Sequence, residues 1–131
     1  MFNHGDCYRD FTYIDDIVEA VARILSNPPA KKVDQHSILN GIQYAVYNIG
    51  NNQPEQLMDY IAALEKALSN AVGREVVAKK EFLPMQLGDV KATYADVKPL
   101  KDAFEFKPST SMEEGLQKFA DWFVEYYKVS K

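Results

Sequence analysis

Arg9-Asp10-Phe11-Thr12-Tyr13-Ile14-Asp15-Asp16-Ile17 is the stretch on which the fold turns. Its first half alternates, with Phe11 and Tyr13 separated by Thr12, and this predicts a short strand ending at Ile14. Its second half changes period. Asp15-Asp16 suits the positive end of a helix dipole, and Ile17, Val18, Val21, Ile24 and Leu25 follow at helical spacing. Ser26-Asn27-Pro28-Pro29 ends that helix, because proline cannot continue it. A strand running directly into a helix is the unit of an α/β fold.

Outward from there, residues 30–44 show no period and read as a surface loop. Ala45-Val46-Tyr47-Asn48-Ile49 predicts a strand, closed by Gly50-Asn51-Asn52. Pro54 fits a first helical turn, and Leu57, Ile61, Leu64 and Leu68 mark the buried face of a second helix to about residue 70. Glu75 to Phe82, around Val76-Val77-Ala78, predicts a third strand, and Pro84 to Gly88 a loop. Asp96 caps a short helix that tolerates Pro99 in its first turn. Thr110 with Glu113 forms a capping box, and the last helix follows with Leu116, Phe119, Ala120, Phe123 and Tyr127 on one face. The expectation is an α/β class, a mixed α+β arrangement of about four helices and a few short strands, forming a single domain over 1–131.

Composition excludes several functions. The net charge is −4, and the only basic doublets are Lys31-Lys32 and Lys79-Lys80, so the concentrated basic stripe of a nucleic-acid binder is missing. No apolar run approaches the ~20 residues that span a bilayer, and no signal-peptide core is present. One cysteine, Cys7, cannot make an internal disulfide, which points to a reducing, cytoplasmic setting. The 6 glycines are dispersed, whereas a dinucleotide or P-loop needs them clustered so that the backbone can approach phosphate; neither loop exists in this chain. His4, His36 and Cys7 lack metal-ligand spacing, so no metal site is expected.

The remaining candidates are few. Arg9 offers a planar fork of donors to a phosphate or carboxylate, and its simpler reading is a surface ion pair with Asp10 or Asp15. Gly88 lets a backbone approach a ligand and Asp89 can accept from a ribose diol, though Gly-Asp is also an ordinary turn. Asn51 and Asn52 stand where a strand gives way to a helix and read most simply as turn and cap residues. Tyr94 with Lys98, and Tyr127 with Lys131, match Tyr-x-x-x-Lys at the frequency chance gives in a chain with 8 Tyr. No residue is singled out as catalytic.

Four segments taken in order resemble a known family. Arg9 to Ile17 resembles the R-D-F-[TI]-[YH]-[VI]-x-D signature of extended short-chain dehydrogenase/reductases acting on nucleotide sugars. Val46-Tyr47-Asn48-Ile49-Gly50 resembles that family's Y-N-[IL]-G, and Gly88-Asp89-Val90 with Thr93, Ala95 and Asp96 its G-D-V-x-x-T-x-A-D. Phe106-Lys107-Pro108, followed by Glu114-Gly115, resembles its closing segment. Gln86 ahead of Gly88-Asp89 is most similar to the UDP-glucuronate 4-epimerases within the family.

The resemblance implies a Rossmann domain followed by a smaller substrate domain, with this chain matching only the second; the dinucleotide-binding domain and the catalytic Tyr-x-x-x-Lys lie upstream and are absent here. It implies NAD as the cofactor of the intact parent and none for this chain alone, and a UDP-sugar as the parent's partner. It implies Arg9 on the UDP phosphates and Asp89 on the ribose hydroxyls, with Gln86 and Gly88 as secondary substrate-binding candidates. Tyr8 and Ala45 stand where basic residues are common, which weakens the expected grip on phosphate. The whole enzyme would oxidise the sugar at C4, rotate the keto-sugar and return the hydride to its other face. A nucleotide-sugar dehydratase or reductase shares these signatures, and a stand-alone non-catalytic module is a third reading. Surfaces meant for a missing domain imply self-association of the chain alone.

Overall fold

The computed structural model describes residues 1–29 and 44–130. The order is a 3-10 turn Phe2–Gly5, β1 Tyr8–Arg9, α1 Ile14–Ser26, β2 Glu55–Gln56, α2 Leu57–Val72, α3 Lys98–Phe104 and α4 Met112–Tyr127. Among the described residues, four helices and one small sheet make the mixed α/β arrangement expected from the sequence. The strand before α1 is displaced, however: it lies at Tyr8–Arg9 and pairs antiparallel with β2, Tyr8 opposite Gln56 and Arg9 opposite Glu55. On its other edge, Tyr8 donates its N–H to the Lys91 carbonyl (2.8 Å) and accepts from the Thr93 N–H (3.2 Å). The alternation at 11–14 has a different origin. Phe11 stacks on Tyr60 with ring centroids 4.0 Å apart, and Tyr13 lies against Gly115, where a Cβ would come within 3.1 Å of its ring. Period two here reports packing, not a ladder.

The core is the crossing of α2 on α4. Ala67, Leu116 and Ala120 are buried together, with Ala63, Leu64 and Leu68 packed around them. Small side chains at the contact let the two helix axes approach, and the leucines fill the flanks. The structure starts α2 at Leu57 and not at Pro54, because Glu55 and Gln56 are used in the sheet and Leu57 donates to the Cys7 carbonyl (2.9 Å). Gly73, at φ 71°, closes the helix in the left-handed conformation that a residue without Cβ adopts freely.

Two further predicted strands do not form. In 75–82 the Val76 N–H donates to Ser69 Oγ (2.9 Å) and the Ala78 N–H to Glu65 Oε1 (2.8 Å), so side chains of α2 take the place of a neighbouring strand. Lys80 pairs with the same Glu65 carboxylate. In 45–49 no strand is present among the described residues; Tyr47 packs edge-on against Phe104 at 5.1 Å and the Asn48 side chain donates to the Asp96 carbonyl. The capping box also moves by one residue. Ser111, not Thr110, is the N-cap of α4, its hydroxyl accepting from the Glu114 N–H (3.2 Å). Thr110 is held outside the helix, its N–H on Asp16 Oδ2 (3.0 Å) and its carbonyl accepting from Asn51 Nδ2 (3.3 Å). The N-cap of α3 is Val97, not Asp96; Asp96 stands one residue earlier and accepts from the Lys98 N–H (2.9 Å), with Pro99 in the first turn. The loop predicted over 30–44 falls almost wholly outside the described residues.

Candidate functional site

β1 delivers Arg9 to the turn that carries Asp89. The Asp89 N–H donates to the Gln86 carbonyl (3.1 Å), closing a four-residue turn whose third residue, Gly88, has φ 87°. That position favours glycine for its backbone angle alone, since a Cβ there would meet nothing within 4 Å. Arg9 Nη2 donates to Asp89 Oδ1 at 3.0 Å across 80 residues of chain. Arg9 Nη1 is held by the Tyr8 carbonyl (2.8 Å) and the Lys91 carbonyl (3.3 Å). Asp89 Oδ1 also accepts from the Val90 N–H (2.9 Å). The side chains are 28% and 32% exposed, enough to meet a ligand while fixed by their neighbours.

The structure therefore brings together the two residues that the sequence had singled out separately. The ion pair with Asp10 or Asp15 does not form; Arg9 pairs with Asp89. Gln86 opens the turn and contributes its carbonyl, and its side chain is exposed. Gly88 shapes the turn.

Sequence reasoning missed the residues that hold this corner. The Asp10 carboxylate accepts from three backbone N–H groups: Asn52 (3.0 Å), Gln53 (3.4 Å) and Ala95 (3.1 Å). Gly50 makes room for it, because a Cβ on residue 50 would sit 2.7 Å from both Asp10 Oδ2 and Ala95 Cβ. Asn52 turns the chain there at φ 55°, and Asn51 is buried. Asp16 does the same work at the other end of the stretch, accepting from Ser109 and Thr110. No local signal marks these roles, because the N–H groups that the two carboxylates accept from lie 42 to 94 residues away in sequence.

A separate apolar cleft of about 240 Å³ is lined by Phe11, Tyr13, Tyr60, Ser111 and Phe119 among others. Burial pushes the Tyr13 phenol up from its ordinary value, and the Asp15 carboxylate adds to the shift. Tyr13 is thus a neutral phenol at physiological pH, not an activated base. Among the described residues no group of three or more His, Cys, Asp or Glu could hold a metal ion, and no helix is long and apolar enough to cross a membrane.

A family model described as GDP-mannose 4,6 dehydratase matches residues 2–119. The chain belongs to that family. Among curated relatives, Protein CapI of Staphylococcus aureus is 45% identical over 98% of this chain. A probable UDP-glucuronate 4-epimerase of Rhizobium meliloti is 37% identical, again over 98%. In both cases the chain spans 38% of the relative's length. The crystal structure of UDP-glucuronic acid 4-epimerase from Bacillus cereus, in complex with UDP-glucuronic acid and NAD, superposes with TM-score 0.71 at 31% identity, over 97% of this chain and 35% of that one. The family resemblance read from Arg9–Ile17 and Gly88–Asp96 is thereby confirmed.

Proposed function

We propose that this chain is the substrate-binding part of an NAD-dependent nucleotide-sugar 4-epimerase of the UDP-glucuronate/UDP-galacturonate type, and that it grips the UDP portion of the substrate. The observation that carries the reading is the convergence of Arg9 and Asp89, 80 residues apart in sequence, onto one part-exposed corner. A guanidinium matches a diphosphate and a carboxylate matches a diol, so this corner has the two chemistries a ribonucleoside diphosphate needs. The likeness to a Bacillus cereus epimerase solved with UDP-glucuronic acid and NAD supports the choice of substrate and cofactor. In this reading NAD binds to protein outside these 131 residues and supplies the transient hydride acceptor. Arg9 and Asp89 orient the nucleotide, and no group of this chain transfers a proton or hydride.

A dehydratase reading is favoured by the description of the family model, and product analysis separates the two. The test is a chimera in which this chain replaces the matching part of the Bacillus cereus epimerase. The expected outcome is interconversion of UDP-glucuronate and UDP-galacturonate; a product lacking one water would indicate a dehydratase instead. Arg9→Ala in the chimera is expected to weaken UDP binding by about 1.5–3 kcal/mol, the scale of a hydrogen bond to a charged group. A chimera that folds and binds NAD but does not bind UDP would overturn the reading. The 131-residue chain alone is expected neither to bind NAD nor to turn over UDP-glucuronate.

A further inference from the structure

The segment that follows α2 has one edge occupied and one edge bare. Val76 and Ala78 donate their N–H groups to Ser69 Oγ and Glu65 Oε1 of α2. N–H groups two residues apart that point the same way mark an extended chain. The N–H and C=O groups of Glu75, Val77 and Lys79 therefore face away from α2, and among the described residues they have no backbone partner. The Glu75 and Lys79 side chains are exposed and enter no ion pair among the described residues. Val77, between them, is 68% exposed. A row of unpaired N–H and C=O groups of this kind is a template for another strand.

We propose that this edge pairs antiparallel with the same edge of a second copy of the chain, about a two-fold axis at Val77. The charge pattern selects both the occupant and the register. Val77 then meets its own counterpart, and Glu75 of each copy stands opposite Lys79 of the other, so the ion pair forms twice. Opposed residues whose N–H and C=O groups face one another exchange two hydrogen bonds, which gives about six across the three pairs. Opposed side chains lie about 5 Å apart on one face of the ladder, within reach of an ion pair. A slip by two residues sets Glu75 opposite Glu81 in one direction and Lys79 opposite Gly73 in the other, and both ion pairs are lost. Parallel pairing in register sets Glu75 against Glu75. Lys80, which the two-fold register brings opposite Arg74, already has its charge offset by Glu65. The contact is isologous, so it closes on a pair and does not extend into a chain of copies. Two short strands are marginal on their own in water, so the pairing is weak and forms in concentrated rather than dilute solution. It is independent of the nucleotide-binding reading.

The experiment follows amide hydrogen exchange of the 131-residue chain by NMR, in a dilute and in a millimolar sample. Exchange at Glu75, Val77 and Lys79 is expected to slow as concentration rises. The Val76 and Ala78 amides, already bonded to α2, are expected to exchange alike in both samples. Glu75→Lys and Lys79→Glu each set like charges opposite one another in both pairs. Each is expected to cut the concentration-dependent protection about fivefold, the scale of two cross-strand charge pairs. Combining the two substitutions restores opposite charges and is expected to restore the protection. Both residues are exposed, and unchanged melting temperatures verify that the variants fold. Protection that does not depend on concentration assigns the edge to another part of the same chain and overturns the proposal. Protection that survives either single reversal, or that the double reversal fails to restore, overturns it as well.

Discussion

Asp10 governs the corner more than its position beside Arg9 suggests. One carboxylate accepts from Asn52, Gln53 and Ala95, and so fastens β1 to the turn before β2 and to the segment leading into α3. Hydrogen bonds to a charged group are the stronger kind, at about 1.5–3 kcal/mol each, and bonds sharing one carboxylate do not add fully. Asp10→Ala is accordingly expected to destabilise the chain by about 2–4 kcal/mol in urea unfolding. A loss under about 0.5 kcal/mol, the range of an ordinary surface substitution, would show that the three bonds are idle. At this scale the sequence was informative about residue types and silent about partners. Arg9 and Asp89 stood out by their chemistry, but nothing local indicates a contact across 80 residues. Asp10 looked like the ion-pair partner of Arg9 because it is adjacent, and a contiguous acid and base on an extended chain point to opposite faces.

Helices were legible because their signals are local. Apolar spacing, Pro28-Pro29, Pro54, Pro99 and the Thr110-to-Glu113 box located all four, with ends moved by one to three residues. Strands were not, because a strand exists only through its neighbour. The 75–82 segment has strand composition, yet its N–H groups end on Ser69 and Glu65 of α2. Likewise β1 and β2 are two residues each, too short for any period to reveal. The reliance on Glu65 makes this element sensitive to acid. The Lys80 ammonium, and then the Ala78 N–H, hold the Glu65 carboxyl below the ordinary value of 4.5. A carboxyl depressed in the folded state contributes stability that is fully present above its unfolded value and is lost as pH falls through the folded one. Stability is therefore expected to decline on acidification below about pH 4.5, with Glu65→Gln flattening part of that decline. Urea unfolding of both proteins across pH 3–6 measures it, and parallel curves would exclude Glu65 as a contributor.

At the scale of the whole molecule, the helix read first leaves most of its apolar stripe uncovered. Its apolar stripe was correctly legible in the sequence, but Ile14, Val18, Val21 and Leu25 are 60%, 59%, 43% and 77% exposed, and only Ala20 of α1 is fully buried. By contrast, α2 and α4 bury Ala67, Leu116 and Ala120 between them, although Phe119 and Tyr127 of the predicted α4 face are 41% and 59% exposed. Four large aliphatic residues recurring every three or four positions on one exposed face form the kind of continuous patch that soluble monomers seldom display. Relatives that this chain covers to only 38% have additional protein that could lie there, and the chain by itself has only another copy of itself. The isolated 131-residue chain is therefore expected to self-associate through α1. Multi-angle light scattering should report a mass above the monomer that falls toward it in Val18→Lys and Leu25→Lys. Both substitutions lie on the exposed stripe, so neither disturbs the α2–α4 core, and melting should be nearly unchanged. A monomer at high concentration, or association that persists in both lysine variants, would assign the exposed face no role in holding copies together.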